Sequence, residues 1–228
     1  MISILNILRI IGVILVVLYA GFYIFKNYEN VAILFVGILT IIITSFLISY
    51  INHKNIIEPF FISNGFDKLS KNIKIKHINY DDLRVDYVYF KDDLSIAKLN
   101  ISKKEEKNKI KLFNGVLFKK DNVDKKPFAI HSSKIFKKLD KNYGLCKLDN
   151  TDFNKYFQVY CEDKIKIYEY FTPKKLEKIS QIAKELNKKI SLIYEDNSLF
   201  LYLHDFRFSK EISKEFELGI RLIQEFSN

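Results

Sequence analysis

Glycine is scarce in this chain, with seven among 228 residues and three of those before residue 40. No glycine-rich loop of the kind that cradles a phosphate is therefore encoded. Tryptophan is absent, and two cysteines, Cys146 and Cys161, are too few for a disulfide framework and lack C-x-x-C or metal spacing. They read as cytosolic thiols buried in strands. The four histidines, His53, His77, His131 and His204, never fall three or four residues apart, so a metal site has no local support. No metal or cofactor is expected. His131-Ser132-Ser133 lacks the glycine-flanked strand-turn-helix elbow of a serine nucleophile and reads as a surface turn. Asp81-Asp82 and Asp92-Asp93 are adjacent carboxylates, but both pairs sit where turns are predicted, and turns favour the short hydrogen-bonding Asp side chain. No catalytic constellation emerges, and the balance leans away from an enzyme.

Charge is missing from two long runs. Residues 2–25 are apolar apart from Asn6 and Arg9, and residues 31–51 carry no charge at all. A helix of about 20 apolar residues crosses the roughly 30 Å of a bilayer's hydrocarbon. A buried core helix is the alternative, and uncharged runs of this length argue against it. A cleaved signal peptide would need a charged leader and a small-residue cleavage site. Here Arg9 is the one early charge, and a second run follows at once. Two spans are predicted, about 8–25 and 31–51, joined as a tight hairpin by Lys-Asn-Tyr-Glu-Asn at 26–30. Positive charge is retained on the cytoplasmic side. Lys26 stands alone on the loop side, against Arg9, Lys54, Lys68 and Lys71 on the other. The expected location is the inner cell membrane, multi-pass, with both termini cytoplasmic. Rich Lys, Asn and Ile usage points to an AT-rich bacterial genome.

Arg9, Lys26 and Glu29 are the only charges before residue 52, so +9 of the formal +10 falls on residues 52–228. Residues 52–71 read as a juxtamembrane linker, in which Pro59 and Gly65 argue against one continuous helix. Its apolar cluster of Ile56, Ile57, Phe60 and Phe61 suits either the membrane interface or the domain. Residues 72–228 form the predicted cytoplasmic domain. Segments 72–78, 84–90, 93–102 and 109–120 alternate apolar and polar residues, which predicts four strands of an antiparallel meander. Residues 127–132 predict a fifth. Leu176, Ile179, Ile182 or Ala183, and Leu186 share one stripe of a helix over 173–189, with Thr172 as its cap and Pro173 in its first turn. A hairpin follows at 190–204 around Asp196-Asn197-Ser198. A last helix carries Ile212, Phe216, Ile220, Ile223 and Phe226, with Ser209 as its cap. Strands grouped first and helices later give an α+β class: a two-helix transmembrane hairpin, then one domain with a mainly antiparallel sheet and several helices.

The densest stretch is 148–173, with seven aromatic and eight charged residues and no glycine. Leu148, Asp149, Asn150, Phe153, Phe157, Val159, Tyr160, Asp163, Thr172 and Pro173 stand in it at spacings that resemble the signature of the family catalogued as domain of unknown function 3137. Upstream, Phe113 and Gly115, with Phe118 one residue late, are similar to that family's Phe-x-Gly-x-Phe strand. The resemblance spans about residues 108–204 and implies a fold and membrane attachment, with no activity. One departure stands out: the family's Ala-Arg-Tyr run is Ile167, Tyr168 and Glu169 here, so its arginine is missing. Residues 164–171 alternate like a strand, whereas the resemblance implies a helical turn. Phe153, Phe157 and Val159 read as core. Tyr160, Tyr168 and Tyr170 read as capping the core edge, with an exposed binding row as the alternative.

The leading reading is a non-enzymatic module that binds the anionic bilayer surface, a protein partner or a second copy of itself. The competing reading is an enzyme acting on a membrane-proximal substrate, its site assembled from Asp163, His131 or His204. Lysines spread evenly among acids look like a solvated surface, so nucleic acid is not expected as a partner. Single-stranded nucleic acid on the first sheet is the third and weakest option.

Overall fold

The computed structural model describes residues 6–17, 31–69, 73–105, 108–124, 128–131, 144–205 and 212–228. The chain divides into two compact units, Met1–Ser63 and Asn64–Asn228.

In the first unit α1 (Asn6–Val17) lies against α2 (Val31–Asn52). Glycines set their approach. A Cβ on Gly12 would stand 3.1 Å from the Gly37 carbonyl oxygen, and one on Gly37 would stand 3.0 Å from that of Gly12. Most other side chains point away, with Ile10, Ile14, Val17, Val36, Leu39, Ile42 and Phe46 all exposed. The hydroxyls of Thr40 and Thr44 donate back to the Val36 and Thr40 carbonyls at 2.8 and 2.7 Å, so both are satisfied within α2.

Helix α2 does not stop at the linker. It runs through a π-helical turn (His53–Ile57) into α3 (Glu58–Ser63), so the helical path passes Pro59. This corrects the expectation of a break there. Proline removes an i→i−4 bond and crowds the carbonyl four residues back. The widened turn just before it, in which the Glu58 N–H donates to the His53 carbonyl, takes up that offset without ending the helix. Gly65, at φ +76°, follows the helix end in the left-handed region. Ile57 and Phe61 are fully buried.

The second unit is built on one nine-stranded sheet in the order β1-β2-β3-β4-β9-β8-β5-β7-β6, with all pairings antiparallel. Strands β2 (Asp82–Lys91), β3 (Leu94–Glu105) and β4 (Asn108–Lys120) are the expected meander. Its first hairpin turns at Asp92-Asp93, with Asp92 at φ 52°. The predicted strand over 72–78 is absent. Residues 73–80 carry no regular structure, and the edge position beside β2 is taken by β1 (Asp67–Lys68). The alternation there serves a strap. Ile75 and Ile78 are buried over Val88, Ala97, Leu99, Ile101, Phe113, Leu117, Phe200 and Tyr202 on one sheet face.

The remaining strands are β5 (Phe128–His131), β6 (Gly144–Cys146), β7 (Gln158–Cys161), β8 (Ile190–Glu195) and β9 (Ser198–His204). The β8–β9 hairpin turns at Asp196-Asn197, both with positive φ, as that turn type requires. Helices α4 (Thr151–Tyr156), α5 (Lys164–Tyr170), α6 (Pro173–Leu186) and α7 (Ile212–Ser227) complete an α+β domain. Residues 164–171 are thus mainly helix, although alone they alternate like a strand. The predicted cap Ser209 and the nucleophile candidates Ser132 and Ser133 lie outside the described residues.

Helix α7 packs on β4 and β9, with the Phe216 ring 6.4 Å from that of Phe118. Two glycines permit the closest contacts. A Cβ on Gly219 would fall 2.3 Å from the Phe118 ring, and one on Gly115 would fall 1.9 Å from the Leu203 carbonyl oxygen in β9. A carbonyl held in the β4–β9 ladder cannot give way by that much. Gly115→Ala is expected to destabilise the domain by roughly 3 kcal/mol or more. Gly144→Ala, whose added methyl meets nothing within 4 Å, should stay within about 0.5 kcal/mol. Thermal unfolding of the two variants in detergent reads the difference, and similar melting temperatures would refute it.

Candidate functional site

The stretch 148–173 folds by capping. The Asn150 side chain accepts the Phe153 N–H at 2.8 Å and so starts α4, a six-residue helix. The Asn154 amide donates to the Leu148 carbonyl at 2.6 Å and fixes the approach to that helix. Asp163 Oδ1 accepts the Ile165 and Lys166 N–H groups at 2.8 and 3.4 Å and starts α5. Thr172 Oγ1 accepts the Lys175 N–H at 3.4 Å, and Pro173 occupies the first turn of α6, where no N–H is needed. Asn150, Asp163 and Thr172 each meet a donor that a helix end leaves unpaired.

Beneath the caps lies an aromatic cluster. Phe153 and Phe157 stack at 4.7 Å between ring centres, Phe153 meets Phe171 at 5.4 Å, and Phe171 meets Phe128 at 4.9 Å. Phe226 of α7 closes the group against Phe157 at 6.0 Å. Val159 is buried in β7, and Tyr160 is half-buried beside it. The tyrosines do not form an exposed row. Tyr170 donates its hydroxyl to the Phe226 carbonyl, and burial holds that phenol well above its ordinary pKa. Tyr168 is about half exposed, yet its hydroxyl donates to the Lys147 carbonyl at 3.0 Å. Phe113 sits on the opposite part of the sheet, 5.0 Å from both Tyr202 and His204.

The outer side of α4 forms two recesses. One, of ≈ 410 Å³, is lined by residues that include Lys155, Tyr156, Gln158, Lys188 and Lys189. The other, of ≈ 390 Å³, shares Lys155 and Tyr156 and adds Asp152, Glu177 and Lys184. Four lysines against two acids make this ledge basic. Lys155 bonds Asp152 at 2.6 Å, which lowers the carboxyl pKa and raises that of the amine. Sequence reading missed the ledge, because residues far apart in the chain (Lys155 and Lys188) build it.

The titratable candidates go elsewhere. None of these recesses is lined by Asp163 or His204. His204 is buried with Ser191 Oγ 3.0 Å from its Nε2, and burial pulls its pKa down to about 4. His77, on the strap, has Nδ1 2.9 Å from Glu195 and Nε2 2.6 Å from the Tyr202 hydroxyl, so it ties the strap to the β8–β9 hairpin. Asp81 Oδ2 accepts the Lys104 N–H at 2.7 Å, and Asp82 pairs with Lys109 at 2.5 Å. Lys98, mid-strand in β3, is buried with its ammonium 3.1 Å from the Asn114 side-chain oxygen; burial lowers its pKa to about 8. Among the described residues no three His, Cys, Asp or Glu side chains gather as a metal would require.

The cysteines correct the sequence reading. Cys146 and Cys161 are buried in strands, but they are joined as a disulfide across β6 and β7. Three residues of β6 are too few to show a strand period, so nothing in the sequence placed the two cysteines side by side.

A neutral, buried His204 has a definite pH signature. Its unfolded form binds a proton below about 6.5 and its folded form only below about 4. Stability is therefore present above pH 6.5 and is lost as pH falls towards 4, by up to about 3 kcal/mol. His204→Gln retains a hydrogen-bonding amide without titrating, so it should flatten that part of a stability–pH curve. An unchanged slope would count against the assignment. Asn150→Ala and Asp163→Ala should each cost about 1 kcal/mol in denaturant unfolding.

A family model described as protein of unknown function (DUF3137) matches residues 97–227, a wider span than the resemblance first suggests. No curated protein and no solved structure matches the chain.

Proposed function

The chain belongs to the DUF3137 family of proteins of unknown function, and we propose that it is a membrane-anchored module working by binding at the inner face of the membrane. One observation carries this reading. The helical stretch Val36–Ser63 is long and apolar enough to cross a bilayer, and 17% of its most apolar window is buried. A core helix of a water-soluble protein would be covered, whereas α2 presents Val36, Leu39, Ile42, Ile43 and Phe46 outward. Its 22 residues extend about 33 Å.

The Gly12–Gly37 approach supports a second span. Helices in lipid gain little from burying apolar side chains against one another and associate through small residues that let backbones come close. On this reading α1 belongs to the first crossing of a hairpin, and Arg9 and Lys54 against Lys26 put both termini on the cytoplasmic side. The basic ledge of Lys155, Lys184, Lys188 and Lys189 then offers a surface for anionic lipid or for an acidic partner protein, each lysine worth roughly 1 kcal/mol close to an anionic leaflet.

Fractionation tests the anchor. The full chain should remain with membranes after alkaline carbonate washing, and a reporter fused after Asn228 should be active inside the cell. Release into the wash would refute the anchor. For the ledge, a fragment spanning the second unit should sediment with anionic vesicles in low salt and be released in high salt. Lys155→Glu combined with Lys188→Glu should weaken that association by at least about thirtyfold. Absence of any salt-sensitive association removes lipid and leaves a protein as the occupant.

A further inference from the structure

The two cysteines are the only ones in the chain, so they have no alternative partner within it. Their Cα atoms are 6.2 Å apart, within the span a disulfide bridges without moving the backbone. Both lie at one margin of the sheet. β6 is its terminal strand, three residues long, and pairs with β7 alone. The bond closes a loop across 15 positions, and α4 lies inside it with the Lys155 and Tyr156 side chains that line both recesses. A three-residue edge ladder is weak by itself, so the covalent link decides whether β6 stays fastened.

We propose that Cys146 and Cys161 are a reversible redox-modification site, a dithiol/disulfide couple that clamps or releases the loop carrying α4. Its resting state rests on the cytoplasmic placement above: in that reducing compartment the pair is held as thiols and closes when oxidant rises. Opening consumes two electrons and two protons from a dithiol reductant of the thioredoxin class. The reductant's thiolate attacks one sulfur, forming a mixed disulfide and expelling the other cysteine as thiolate. Its second thiol then resolves the mixed disulfide, leaving two cysteine thiols and an oxidised reductant. Closure is the reverse, with an oxidised dithiol or glutathione disulfide accepting the two electrons. Both sulfurs are nearly buried, Cys146 at 6% and Cys161 at 3% exposure, so exchange passes through local opening of β6. This couples the exchange to the release it causes.

The test uses the purified full chain in detergent. It is equilibrated in glutathione buffers from fully reduced to fully oxidised, quenched with acid, and tagged with a mass-adding maleimide. A reversible step from no tags to two is expected. Tryptic cleavage after Lys147 and Lys155, both inside the loop, should run at least about tenfold faster in the reduced form. Cys161→Ser should show the fast rate in every buffer. A pair that stays untagged even in fully reduced buffer overturns the proposal, as do equal cleavage rates in the two states. Because the titration is done on isolated protein, its outcome does not depend on which side of the membrane a reporter after Asn228 marks.

Discussion

The domain depends on β4 lying flush against β9. Strands β1 to β3 lie on one side of β4 in the sheet and β9, β8, β5, β7 and β6 on the other; the β4–β9 ladder makes them one sheet. Antiparallel neighbours normally accommodate side chains above and below the ladder. At Gly115 the Leu203 carbonyl occupies the space where a Cβ would stand. With that approach secured, both faces can be closed: the strap over Phe113, Leu117 and Tyr202 on one side, and α7 over Phe118 on the other. Gly219 repeats the same device one layer out, where a helix instead of a strand must come close to Phe118.

Where sequence and structure part, the cause is a local pattern that two architectures satisfy equally well. Alternation predicts β2, β3 and β4 correctly. The same alternation over residues 73–78 belongs to a strap, because Ile75 needs one-sided burial and not a hydrogen-bonded neighbour. Turns were legible at Asp92 and Asp196-Asn197, where Asp or Asn adopts positive φ, but not at Asn187, whose left-handed cap ends α6 at Leu186, inside the helix expected over 173–189. Pro59 was misleading for a specific reason: a widened helical turn beside it is invisible in composition, and only the i→i−5 bond of Glu58 reveals it. Lys98 is the opposite failure. A lysine at a polar position of an alternating strand reads as solvated, yet neighbours beyond the strand bury it.

The signature stretch separates what a motif encodes from what a surface offers. Asn150, Asp163 and Thr172 are each spent on backbone N–H groups, and Phe153 and Phe157 on packing, so the recognisable letters are turned inward or towards the chain itself. Lys155 and Tyr156, which line both recesses, are outside the signature. A motif of this kind fixes a scaffold and leaves recognition to positions it does not specify. That is why the ledge could not be read from the sequence, although its supports could.

Two physical arguments about compartment meet at Cys146 and Cys161. Charge bias counts the few lysines and arginines near the spans, and it favours a domain on the cytoplasmic side. A disulfide in a cytosolic protein of ordinary growth temperature is seldom permanent, because the glutathione and thioredoxin pools keep thiols reduced. The arguments conflict only if the bond is taken as fixed. The geometry speaks to what the backbone permits: with β6 paired to β7, the two Cα atoms stand at bridging distance. On the proposed placement, redox poise selects which of two chemically distinct forms of one edge the domain carries. A conditional bond on a short edge strand, beside a basic ledge, is consistent with both constraints at once.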